Sequence, residues 1–131
     1  MQKGFKAMMA EANAAIETLD VADARALVGR DDVALIDVRD GHEVRSSGML
    51  PGATHASRGL LEFLIDPECP MHNPIFSEPK RFVFYCGTGG RSALATKLAR
   101  DMGLSNVAHV GGGFKAWIIA DGEVEPWSDD C

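Results

Sequence analysis

Short runs of apolar residues with no polar interruption set the first limit on what this chain folds into. Val33-Ala34-Leu35-Ile36 lies between Asp31-Asp32 and Asp37, and Phe82-Val83-Phe84-Tyr85 is the most strand-like stretch of the sequence. A strand with one face in water alternates apolar and polar positions. A run that is apolar throughout therefore fits a strand covered on both faces, as in a parallel sheet.

Helical stretches alternate with these runs. Residues 3–15, rich in Ala, Met and Glu, predict a short N-terminal helix, an extension (1–15) ahead of a single domain (16–131). Ile16–Leu19 is a strand candidate, and Asp20 caps a helix from Val21 that ends near Gly29. A helix from Asp40 to about Ser46 stops at Gly48, and Pro51-Gly52 turns the chain into a brief strand at 53–56. Leu60, Leu61, Phe63, Leu64 and Ile65 mark a further helix. Residues 66–80 hold four of the six prolines, Pro67, Pro70, Pro74 and Pro79, and read as an ordered surface loop. Leu94, Leu98 and Met102, with Ala95 and Ala99, mark the buried face of a helix over 93–102 that Gly103 ends. Val107–Val110 is a fifth strand, followed by Gly111-Gly112-Gly113 and a last helix through Phe114 and Trp117 to Ala120. The rhythm predicts an α/β fold, a mainly parallel sheet of about five strands with helices on both faces, and functional groups at the carboxyl ends of the strands.

Composition narrows the function. The 131 residues, 46% hydrophobic and 24% charged, suit one globular domain. Lys and Arg number 13 against 19 Asp and Glu, a formal charge of -6, and no basic run occurs, so nucleic acid is not expected as a partner. Lys3 and Lys6 precede an apolar stretch of only Ala7–Ala10 before Glu11, so neither a signal peptide nor a membrane span is expected. Cys69, Cys86 and Cys131 are widely spaced with no CxxC pair, which fits neither a disulfide framework nor a zinc site and points to a reducing cytoplasm. His42, His55, His72 and His109 lack ligand spacing, and neither metal nor cofactor is expected.

Chemistry concentrates at Cys86, which ends the Phe82–Tyr85 run and is followed by Gly87-Thr88-Gly89-Gly90-Arg91-Ser92. A thiol on a strand-to-helix turn sits where backbone N–H groups and the positive helix end converge, a place that favours a thiolate or a bound oxyanion. Gly87, Gly89 and Gly90 allow dihedrals that turn N–H groups inward. Thr88 and Ser92 add hydroxyls, and Arg91 adds a fixed charge that favours the thiolate and offers a fork to oxyanionic substrates. No GK[ST] or GxGxxG accompanies the loop, so nucleotide binding has little support.

These residues resemble the single-domain rhodaneses, sulfurtransferases that carry a persulfide on a loop cysteine. Leu35-Ile36-Asp37-Val38-Arg39 with Glu43 is similar to the family's first signature, and Gly48 with Pro51-Gly52-Ala53 to its second. Tyr85-Cys86 through Arg91-Ser92 is similar to the active loop, and Gly112-Gly113-Phe114 with Ala116-Trp117 to the closing motif. Met49-Leu50 departs from the His-Ile often found before the Pro-Gly turn, and the long segment 57–80 is a second departure. The resemblance implies a Cys86 persulfide loaded from thiosulfate or a related donor and unloaded to a thiophilic acceptor, cyanide in an assay or a thiol in the cell. Four residues separate Cys86 from Arg91, against five in the related Cdc25-type phosphatases and arsenate reductases, which favours sulfur over phosphate. Arg58, just past the third strand, is a candidate second cation for the donor. Asp37 and Arg39 are expected to organise the loops, with Glu43 as a partner for Arg39. Cys69 and Cys131 read as incidental thiols rather than sulfur relays. The rival expectation is a non-catalytic module that binds an anionic or persulfidated partner in the same pocket.

Overall fold

The computed structural model describes residues 1–127. Five parallel strands, β1 (Glu17–Leu19), β2 (Val33–Asp37), β3 (Thr54–His55), β4 (Arg81–Tyr85) and β5 (Val107–Val110), form one sheet in the order β1-β5-β4-β2-β3. The predicted α/β class and the continuous apolar strands are thus found as read. The chain builds outward from β2 to β3, then returns to β4 and moves to β5 on the other side. The order reverses between β2 and β4, and the carboxyl ends of these two strands carry Asp37 and Cys86.

Side-chain parity divides the core. Phe82 and Phe84 face one side with Ala34, Ile36 and the small residues Ala95 and Ala99, whereas Val83 and Tyr85 face the other with Leu35, Phe114 and Trp117. Helices α4 (Leu61–Ile65) and α5 (Gly90–Asp101) cover the first face, and α2 (Val21–Leu27) and α6 (Gly113–Ile119) cover the second. Cys86 continues the parity of Phe84, so its side chain enters the α5 face. Helix α3 (Gly41–Ser47) follows β2 and is closed at its start by a reciprocal cap between Asp40 and Glu43. Helix α1 (Phe5–Ala15) packs on α5, burying Ala12 and pairing Glu11 with Lys97 at 3.5 Å.

Three expectations needed adjustment. Helix α5 begins at Gly90 rather than Ala93, because Gly89 at φ 117° turns the loop straight into the first helical turn. Met102 stands just past the helix end and is exposed rather than part of the buried face. The proline-rich segment is more than surface: a 3-10 turn at Pro74–Ser77, capped by the Asn73 side chain, drives Phe76 into the core against Phe82.

Candidate active site

Cys86 is 1% exposed, one residue beyond the end of the central strand β4. Its Sγ accepts from the N–H of Gly89 (3.1 Å) and of Ser92 (3.4 Å) and lies 3.5 Å from Ser92 Oγ. Burial pushes the thiol up. Hydrogen bonds from the Ser92 hydroxyl and from the N–H groups of Ser92, Gly89 and Thr88 outweigh it, and Cys86 titrates below its ordinary value.

Those N–H groups face the sulfur because the loop's carbonyls are held from outside. Phe114 N–H donates to the Cys86 carbonyl (2.8 Å) and Lys115 N–H to the Gly87 carbonyl (3.0 Å), so the first turn of α6 clamps the loop from behind. The approach depends on Gly113, where φ is +57° and a Cβ would stand 2.5 Å from the Cys86 carbonyl oxygen. The closing glycine motif therefore belongs to the site as a spacer.

Arg91 is brought to the mouth of the loop, where its guanidinium grips Glu43 through Nη1–Oε1 (2.5 Å) and Nη2–Oε2 (3.0 Å). This bidentate bond holds the Glu43 carboxyl at about 2 and pushes Arg91 up. The expected Glu43–Arg39 pairing is therefore corrected: Glu43 pairs with Arg91, and Arg39 is held by other partners. Its Nε and Nη2 donate to Asp37, its Nη1 to Ser47 Oγ (2.9 Å) and its Nη2 also to the Gly48 carbonyl (2.6 Å). The guanidinium carbon stands 4.1 Å from the centroid of the Phe114 ring. Asp37 and Arg39, both buried, thus tie β2 to the end of α3 and the start of α6.

Among the other residues read from the sequence, Gly87, Thr88, Gly89, Gly90 and Ser92 all lie in the loop around the sulfur. Arg58 is turned away from it: its side chain approaches Glu62 at 3.7 Å and lines a groove with Lys3, Met8, Glu11 and Lys97 that includes no residue of the 86–92 loop. Cys69 is a half-buried free thiol in the proline-rich segment, and Cys131 lies outside the described residues. One neighbour of the loop had no signal in the sequence. His109 on β5 is 3% exposed, and its Nδ1 lies 3.0 Å from Ser92 Oγ. Burial pushes its imidazole down, which keeps it neutral at pH 7.

Comparison with known proteins places the chain among its relatives. Thiosulfate:glutathione sulfurtransferase of Homo sapiens is 28% identical over 107 residues, spanning 77% of this chain and 92% of the human protein. A putative sulfurtransferase of Bacillus subtilis is 33% identical over 96 residues, 73% of this chain and 81% of its own. Among solved structures, a protein of unknown function and possible tyrosine phosphatase from Rhodopseudomonas palustris superposes with a TM-score of 0.92 at 54% identity, covering 95% of this chain and 96% of its own. The rhodanese-like domain model matches residues 20–120, from the cap of α2 to the end of α6, and the chain accordingly belongs to the rhodanese-like family, with sulfurtransferases among its relatives.

Proposed function

We propose that the chain is a sulfurtransferase that carries sulfane sulfur as a persulfide on Cys86, moving it from thiosulfate or a related donor to a thiol. The observation that carries this reading is the Sγ of Cys86, held in a ring of loop donors that lower its titration. The thiolate attacks the outer sulfur of thiosulfate, the bond to the sulfonate sulfur breaks, and its electron pair leaves on sulfite. An acceptor thiolate then attacks the terminal sulfur of the persulfide and leaves with it, and the electron pair of the broken S–S bond returns to Cys86. Both anions, thiolate and persulfide, are stabilised by N–H groups fixed before the reaction begins. Arg91 steadies the loop through Glu43 and adds positive charge at its mouth. The human relative, named for glutathione, supports a small thiol as acceptor.

In this reading residues 16–131 form the domain and 1–15 an extension docked on it, and the reducing cytoplasm supplies the acceptor thiols. Among the described residues no helix is long and apolar enough to cross a membrane. Incubation with thiosulfate followed by mass spectrometry tests the first half-reaction: Cys86 should gain one sulfur atom, and Cys86→Ser should abolish thiocyanate formation with cyanide. No gain at Cys86 would leave the binding module as the better reading.

A second reading, a phosphatase, is favoured by the description of the Rhodopseudomonas palustris neighbour. The four-residue spacing from Cys86 to Arg91 and the engagement of Arg91 by Glu43 weigh against it. Turnover of an aryl phosphate that vanished in Cys86→Ser would establish it.

A further inference from the structure

Ser92 has one hydroxyl hydrogen and several places to send it. Its Oγ lies 3.5 Å from the Cys86 sulfur, 3.3 Å from the Gly89 carbonyl oxygen and 3.0 Å from His109 Nδ1. If His109 Nδ1 were a bare acceptor, it would compete for that hydrogen, and the sulfur would lose a donor. On the other side of the ring, Nε2 lies 3.1 Å from Thr18 Oγ1. Thr18 is the register partner of His109 on the edge strand β1, and its residue is exposed. A threonine hydroxyl can donate to Nε2, which places the ring proton on Nδ1.

We infer that His109 is a positioning residue that acts through Ser92: its Nδ1–H donates to Ser92 Oγ and frees the serine hydroxyl to donate to the Cys86 sulfur. The hydrogen-bond chain then runs in one direction, from Thr18 to His109 Nε2, from Nδ1 to Ser92, and from Ser92 to the sulfur. The Ser92 hydroxyl then accepts once, from His109, and donates once, to the sulfur, so each bond polarises the next. A buried neutral imidazole fits this task, since it carries one N–H and one bare nitrogen without adding a charge that the core would have to solvate. The register makes the placement direct: His109 pairs with Phe84 on β4, two residues before Cys86, so both side chains enter the α5 face beside Ser92.

The inference rests on the reading of Cys86 as the reactive thiolate, but its test needs no sulfur transfer, so the two fail separately. Alkylation of Cys86 against pH, followed on its own peptide by mass spectrometry, reports the thiolate directly. In His109→Leu the midpoint is expected to rise by about half a unit or more, a roughly threefold loss of thiolate below the midpoint. His109→Asn, whose amide N–H can take the place of Nδ1–H, should return most of the shift, and Thr18→Val should give a smaller shift in the same direction. In a Ser92→Ala background, His109→Leu should add nothing. An unchanged midpoint in folded His109→Leu, or the same shift with Ser92 absent, would overturn the inference. Nitrogen NMR of the His109 ring in the unmodified protein gives a reading that survives any folding defect: a proton on Nδ1 supports the chain, and a proton on Nε2 refutes it.

Discussion

Two acid–arginine pairs stand within one loop of each other and do opposite things. Asp37 and Arg39 are 0% and 2% exposed, and all three nitrogens of that guanidinium donate to Asp37, Ser47 or Gly48. Glu43 and Arg91 keep side chains that are 33% and 39% exposed, and they meet at the mouth of the cysteine loop. Both pairs are well formed, so geometry alone does not separate them. Solvent does: a buried pair has no substitute for its partner, whereas a half-exposed pair can exchange its partner for water or for an anion. The inner pair is a structural joint, and in the proposed sulfurtransferase reading the outer one is a latch that an incoming anionic donor competes with.

The largest effect that would sharpen this contrast comes from the inner pair. Arg39→Met leaves the Asp37 carboxylate buried without its cation and is expected to lower unfolding stability by about 3–5 kcal/mol. A loss of unfolding free energy in urea of less than a third of that would make the joint dispensable. Arg91→Ala is expected to lower stability by no more than about 1 kcal/mol. It should nevertheless reduce kcat/KM for thiosulfate about tenfold, which corresponds to about 1.4 kcal/mol at the transition state. A variant that lost stability and kept its rate would reverse the roles assigned to the two arginines.

The smallest effect is a pH dependence. The Glu43 carboxyl sits at about 2 in the folded chain, below its ordinary 4.5, so its contribution to stability is present above about pH 4.5 and is lost as the pH falls from there towards 2. Exposure of both partners discounts it to about 1 kcal/mol. Denaturation midpoints measured at pH 5 and pH 3 should therefore converge between the wild type and Glu43→Gln at the lower pH. Parallel curves would show that the latch holds no net energy.

The contrast also explains what was legible in the sequence. Val33–Ile36 and Phe82–Tyr85 are apolar throughout, and Val107–Val110 is broken only by His109, because both faces of the sheet are covered; that pattern is local, so strands and crossovers could be read off directly. Cys86 with its glycines was legible for the same reason, since a turn is made by neighbours in the chain. Phe76 was not, because prolines signal an irregular backbone and say nothing about which side chain the irregularity points inward. Partner choice was equally invisible. Glu43 stands four residues from Arg39 and 48 from Arg91, yet it meets Arg91, because Arg39 is consumed by Asp37 and by the end of α3. Arg58 was misjudged by proximity, since the 3-10 turn it begins carries its guanidinium towards Glu62 and the groove beside α1. His109 carried no spacing signal because its role depends on parallel pairing across three strands.

The parity that places Cys86 on the α5 face has a consequence for how this chain can vary. One residue added to or removed from β4 would reverse the side on which its last residue emerges, and the thiol would point among Leu35, Phe114 and Trp117, far from Gly89 and Ser92. Changes in length after Cys86 would reshape the pocket by degrees, but a change before it acts as an on-off event. The strand therefore works as a counting device for the chemistry: its even step from Phe82 through Phe84 to Cys86 determines whether the loop meets a sulfur at all.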